Sequence, residues 1–128
     1  MAERRQYDRQ RHCPIARTLD VVGDRWTLLI LRDLSWRRQR FSDLEASLAG
    51  IAPNLLSARL RLLEGNEMVE RIEYHAHPPR HEYRLTPKGK AFVPILRAIA
   101  DYGTTWEPAD GERHITSAPR SKPRKKVP

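Results

Sequence analysis

The chain has 128 residues and a mass of 14.9 kDa, enough for one domain with a modest core. Lys and Arg number 24 against 16 Asp and Glu, and the net charge of +8 favours a polyanionic partner, nucleic acid before an anionic membrane surface. The longest unbroken apolar run, Leu28-Leu29-Ile30-Leu31, is far too short to span a bilayer, and the polar start Met1-Ala2-Glu3-Arg4-Arg5 lacks the apolar stretch of a secretory signal.

Charge divides the chain into an N-terminal basic arm (1–12), a central domain (13–106) that holds nearly all the large apolar residues, and a basic tail (107–128). The tail carries Pro108, Pro119, Pro123 and Pro128 but only Ile115 and Val127 as large aliphatics, a composition that predicts disorder. Its end, Lys122, Arg124, Lys125 and Lys126, is either a solvated tail or a non-specific phosphate contact. The lone Cys13 excludes an intramolecular disulfide and a cysteine-built zinc site, and a cytoplasmic protein is the simplest expectation.

Pro14 suits a first helical position; Ile15, Leu19 and Val22 follow at helical spacing, and Gly23 closes the segment. Asp24 is the expected N-cap of the next helix, whose Trp26, Leu28, Leu29, Ile30, Leu31 and Leu34 predict the central, most buried element. Ser42-Asp43-Leu44-Glu45 reads as a capping box, with Leu44 and Leu48 inward and Gly50 at the end. After the short turn Gly50-Ile51-Ala52, Pro53 opens another helix, so the pair forms a helix-turn-helix candidate. Met68 to Tyr74 and His81 to Leu85 are strand candidates joined by a stiff turn, His75 to Arg80, with Met68, Ile72 and Tyr74 on one face and Tyr83 and Leu85 on one face of the second. Thr86-Pro87 restarts a helix with the stripe Phe92, Ile95, Leu96, Ile99, Tyr102 and Trp106, and Pro94 is expected to kink it. The predicted class is α+β, mainly α: a winged helix-turn-helix with a two-stranded wing and a C-terminal helix.

On the helix from Pro53, Leu56, Leu60 and Leu63 point one way, while Asn54, Ser57, Ala58 and Arg61 point roughly the other. Those polar and small side chains suit base edges: Arg for guanine, Asn for adenine, Ser for several partners and Ala for a thymine methyl. An ordinary solvated helix face would more often carry Glu or Lys. Arg37, Arg38 and Arg40 precede the capping box as either a phosphate-contacting loop or a solvated one, and Arg59 is placed to meet either an internal carboxylate or a phosphate.

Several stretches, in order, resemble the HxlR-type transcriptional regulators. They are Cys13-Pro14-Ile15; Gly23-Asp24-Arg25-Trp26-Thr27 through Leu34; Arg40-Phe41-Ser42-Asp43-Leu44; Gly50-Ile51-Ala52-Pro53-Asn54-Leu55-Leu56; Arg59-Leu60; Val69-Glu70-Arg71; and Pro78-Pro79-Arg80-His81-Glu82-Tyr83-Arg84-Leu85-Thr86-Pro87-Lys88-Gly89. The resemblance covers about residues 11–106. It implies a winged helix-turn-helix similar to the MarR-type regulators, working as a homodimer on a double-stranded DNA operator. The recognition helix then corresponds to Pro53–Glu64, the wing to Met68–Thr86, and the dimer interface to the N- and C-terminal helices. The DNA-contacting set is Arg40, Pro53, Asn54, Ser57, Ala58, Arg61 and Arg80, and the dimerisation set is Ile15, Leu19, Phe92, Ile95, Ile99, Tyr102 and Trp106. The chain departs from the family at Ala52, where Ser is usual, and at Glu67, where Gly is usual. Gly65 or Asn66 is therefore expected to take the left-handed C-cap and end the helix sooner.

Cys13 falls at the expected N-cap of the first helix, beside Arg11 and His12, where the helix dipole favours thiolate. Some HxlR-type regulators sense electrophiles or oxidants with a cysteine at this place; the alternative is a small packing residue. His75, His77 and His81 on a wing tip do not make a metal site, and no phosphate loop, nucleophile elbow or metalloprotease helix is present, so neither an enzyme nor a cofactor is expected. The competing class is a winged helix used as a protein-interaction module. RNA is disfavoured for want of an aromatic stacking platform. No membrane partner is expected, and no inducer is identified.

Overall fold

The computed structural model describes residues 12–109. The residues up to Val93 form one compact unit and those from Pro94 another. The first holds α1 (Pro14–Val22), α2 (Thr27–Trp36), α3 (Phe41–Ser47), α4 (Pro53–Gly65), β1 (Val69–Ala76), β2 (Pro79–Leu85) and α5 (Pro87–Lys90); the second is α6, Val93–Trp106, of which only Val93 precedes the boundary. Among the described residues no helix is long and apolar enough to cross a membrane. The expected arm lies almost wholly outside the described residues, as does the tail beyond Ala109.

The core is the meeting of α2, α3 and α4. Thr27, Ile30, Leu31 and Leu34 recur at helical spacing and are buried along α2, which packs on α1, α3 and β2. Leu44 and Leu48 from α3 and its C-cap, and Leu56, Leu60 and Leu63 from α4, fill the rest. Each fully buried leucine contributes about 1.5–3 kcal/mol. In the turn, Gly50 takes φ +97°, a left-handed conformation that glycine adopts at little cost, and Ile51 returns to the core.

Side chains serve the starts of α2, α3 and α5, with two shifts from expectation. Asp24 does serve the start of α2, accepting from the Trp26 N–H at 3.0 Å and from the Thr27 hydroxyl, but from two positions before the N-cap, Trp26, so the helix opens at Thr27. The capping box of α3 moves two residues earlier. Arg40 is the N-cap, and the Asp43 carboxylate, not Glu45, reaches back to its N–H at 2.9 Å. A carboxylate at the third helical position satisfies that orphan donor without any hydroxyl. Ser42 is an exposed residue of the first turn.

The end of α4 corrects a second expectation. The helix runs through Gly65, and Glu67 itself takes the left-handed conformation, φ 61°. The Met68 N–H bonds the Leu63 carbonyl at 3.0 Å and the Glu67 N–H the Glu64 carbonyl at 2.9 Å, the pairing of a Schellman motif. Met68 and Leu63, the two positions that such a motif pairs, are both buried.

The wing is an antiparallel hairpin longer than expected, because its strands extend to Ala76 and from Pro79 and leave only His77 and Pro78, joined by a cis peptide bond, at the tip. Proline is tolerated here because the ribbon has only edges at its tip. Val69 pairs with Leu85 and both are buried, whereas Ile72 faces Glu82, so the apolar contact of the strands lies at the wing base. Met68 is buried just before the strand.

Thr86 closes the base. Its hydroxyl accepts from the Gly89 N–H at 3.1 Å and donates to the Glu67 carbonyl at 2.5 Å. Gly89 lies so close to the β1 entrance that a Cβ there would stand 2.1 Å from the Met68 carbonyl oxygen, so only glycine fits. The expected kinked helix is two helices, because Pro94 has no N–H and falls in the first turn of α6, where none is needed. Phe92, between them, is buried in the first unit and is not available to the exposed stripe to which it was assigned. No residue of α6 is buried; Ile95, Ile99, Tyr102 and Trp106, on one helical face, are 46–67% exposed.

Candidate nucleic-acid interface

The geometry of α4 follows from its leucines. With Leu56, Leu60 and Leu63 fixed inward, a 100° step per residue puts Asn54, Ala58 and Arg61 diametrically opposite and Ser57 on the flank. Asn54 and Arg61 are exposed, and Ser57 and Ala58 are half-buried. The opposite face holds no acid, while half-buried Glu64 falls on the same flank as Ser57. Pro53 sets φ at the helix start and is exposed; Ala52 before it has extended backbone but no side chain that could cap.

Arg40 stands at the start of α3, exposed, with its guanidinium 5.0 Å from the ring centre of Tyr74 in β1. Arg37 is also exposed, while Arg38 is drawn to Glu82 of β2 at 3.6 Å, so one cation of this loop is offset by the wing. Arg80 is exposed and pairs in register with His75 one step from the tip. Arg59 is half-buried. The three wing histidines do not converge. His75 Nδ1 lies 3.2 Å from the Pro78 carbonyl, His81 Nε2 lies 3.9 Å from Glu73, and no three metal-ligating side chains among the described residues are grouped to hold an ion.

Two features had no sequence signal. Gln39 exchanges two backbone hydrogen bonds with Tyr83, at 2.9 and 2.7 Å, an isolated bridge beside β2, and its side chain donates to the Asp33 carbonyl at 2.7 Å. A bridge one residue long has no periodicity to detect. Tyr83 has its phenol pushed above the usual value, first by burial and then by the Glu64 carboxylate; the Arg71 guanidinium, which also hydrogen-bonds it, and Arg61 pull the other way. Wing and α4 therefore share one local field. The register pairs Tyr83 with Arg71, which makes this contact legible only once the strand pairing is known.

Cys13 is the N-cap of α1 and half-buried, with its carbonyl accepting from the Arg17 N–H and no hydrogen bond from its side chain to the cap. Ile15 and Leu19 on α1 are exposed, at 71% and 38%.

A short helix, a tight turn, a second helix with a polar cationic outer face, and a two-stranded ribbon define a winged helix-turn-helix, the architecture of a DNA-binding transcription regulator. The chain belongs to the HxlR-like helix-turn-helix family, whose model matches residues 21–111. It is 41% identical over 95 residues to the HTH-type transcriptional regulator YvaP of Bacillus subtilis, covering 73% of this chain and 88% of that protein. Among solved structures it is similar to the redox regulator HypR in its oxidized form, with 33% identity, a TM-score of 0.68, and 72% of this chain and 95% of that one covered. The quinone-bound YodB from Bacillus subtilis is 29% identical with a TM-score of 0.62, covering 72% and 97% of the two chains.

Proposed function

We propose that the protein regulates transcription by binding a specific double-stranded DNA operator as a homodimer, through a domain spanning residues 13–106. The outer face of α4, with no acid beside Asn54, Ala58 and Arg61, carries this reading. Asn54, Ser57, Ala58 and Arg61 meet base edges in the major groove, with Pro53 at the groove entrance, while Arg40 and Arg80 meet phosphates. The exposed apolar residues of α6, Ile95, Ile99, Tyr102 and Trp106, and of α1, Ile15 and Leu19, are the surfaces that a second copy covers. A two-fold dimer places half-sites about one helical turn, or a multiple of it, apart. Footprinting on the DNA flanking the protein's own coding region, with sedimentation in parallel, tests this. The expected result is a protected pseudo-palindrome and a dimer at micromolar concentration. A uniform footprint with no preferred site, or a monomer, overturns it.

A second reading concerns Cys13. Its place at the α1 N-cap, within a helix assigned to the dimer contact, would let oxidation or an electrophile alter half-site geometry, and the likeness to a regulator solved in an oxidised form and to one solved with a quinone favours it. Operator affinity before and after diamide or a quinone, in wild type and Cys13→Ser, decides it; equal affinity in all four states leaves Cys13 a packing residue.

A further inference from the structure

Strand β1 carries an irregularity with no role in the hairpin's own pairing. Glu73 pairs with His81 and His75 with Arg80, so Tyr74 is the residue that the register skips. A bulge re-aims the side chain it carries, and bulges are common next to functional sites. Here the Tyr74 ring lies 5.0 Å from the Arg40 guanidinium carbon, so the bulge residue of the wing meets the N-cap residue of α3. The Arg40 backbone is already fixed on two sides. Its N–H is held by the Asp43 carboxylate at 2.9 Å, and its neighbour Gln39 is locked to Tyr83 of β2 by two backbone hydrogen bonds. Only the long side chain is left free to wander, and the ring face restrains it.

We infer that Tyr74 is a positioning residue for Arg40, holding the guanidinium at the start of α3 in place for a DNA phosphate and tying the wing to the helix-turn-helix. The inference rests on the proposed phosphate contact of Arg40. A free arginine loses rotamer freedom when it binds a phosphate, and one already stacked on an aromatic face has given up part of it beforehand. The ring contributes through its face, not its hydroxyl, so phenylalanine should serve nearly as well.

The test is a double-mutant cycle on full-length protein with a mixed-sequence duplex of fixed length, at two salt concentrations. Tyr74→Ala should weaken binding roughly two- to fivefold. Tyr74→Phe should stay close to wild type, and Tyr74→Ala should add nothing in an Arg40→Ala background. Tyr74 is 37% exposed, and thermal melts check that each variant is folded. A Tyr74→Ala variant with unchanged affinity, or one whose loss persists in full without Arg40, overturns the inference alone. An Arg40→Ala variant with unchanged affinity and salt slope overturns the phosphate reading, and the inference with it.

Discussion

Replacing Glu67 by glycine is expected to stabilise the protein, although it deletes a charged side chain and the usual effect of glycine is the opposite. Glu67 holds φ at 61°, a conformation that costs a residue with a Cβ about 1–2 kcal/mol. Glycine relieves that cost but gives back about 0.4–1 kcal/mol through its freedom in the unfolded chain; the middle of the two ranges leaves a net gain of about 0.8 kcal/mol, between limits of about 0 and 1.6. Nothing else should change, because the bonds at this corner use backbone atoms: the Glu67 carbonyl accepts from Thr86, its N–H donates to Glu64, and Met68 donates to Leu63. For a domain of this size the gain raises the thermal midpoint by about 2–8 °C, measured at fixed protein concentration because any self-association shifts apparent stability. Glu67→Ala keeps the left-handed cost and is the control, expected within about 0.5 kcal/mol of wild type. A Glu67→Gly midpoint at or below that of wild type would refute the argument.

Three further outcomes follow from the same structure. Gly89→Ala places a Cβ against the Met68 carbonyl and should destabilise by at least about 1–3 kcal/mol in urea denaturation, with the wing base as the first region to lose amide protection. Ala52→Ser supplies the missing cap oxygen where the backbone is already extended, and should add about 0.5–1 kcal/mol to stability. Tyr83 is protonated more tightly in the folded than in the unfolded chain, so its contribution is complete below the ordinary value of 10.0 and is lost as pH rises through the raised folded value. Urea midpoints should therefore fall on going above about pH 10, and less steeply in Tyr83→Phe; equal slopes in the two proteins count against the burial and the Glu64 contact as causes.

What was legible in the sequence was what repeats. The leucines of α4 recur at 56, 60 and 63, and that spacing alone placed the outer face of Asn54, Ala58 and Arg61. Pro14, Pro53 and Pro87 marked three helix starts because a proline at the first turn loses no hydrogen bond. Pro94 was misjudged for the same reason: a proline in an apolar run reads equally as a kink or as a new start, and buried Phe92 decides for the start. The α4 terminus was misjudged because backbone preference pointed to Gly65 or Asn66, whereas the closing hydrogen bonds, Met68 to Leu63 and Glu67 to Glu64, fall with Glu67 at the left-handed position. The tie from Arg40 to Tyr74 was invisible because it joins residues far apart in sequence through a bulge, and a bulge leaves no pattern in a single strand.

The outer face of α4 is tested most directly by comparing Arg61→Ala and Arg80→Ala on the footprinted site and on a scrambled duplex of equal length. If Arg61 reads a base, Arg61→Ala should cost roughly 1–3 kcal/mol on the site and little on the scrambled duplex. Arg80→Ala should weaken both duplexes alike and lower the salt slope by about one. An Arg61→Ala protein that binds the footprinted site as tightly as wild type would contradict the assignment of α4 as the recognition helix.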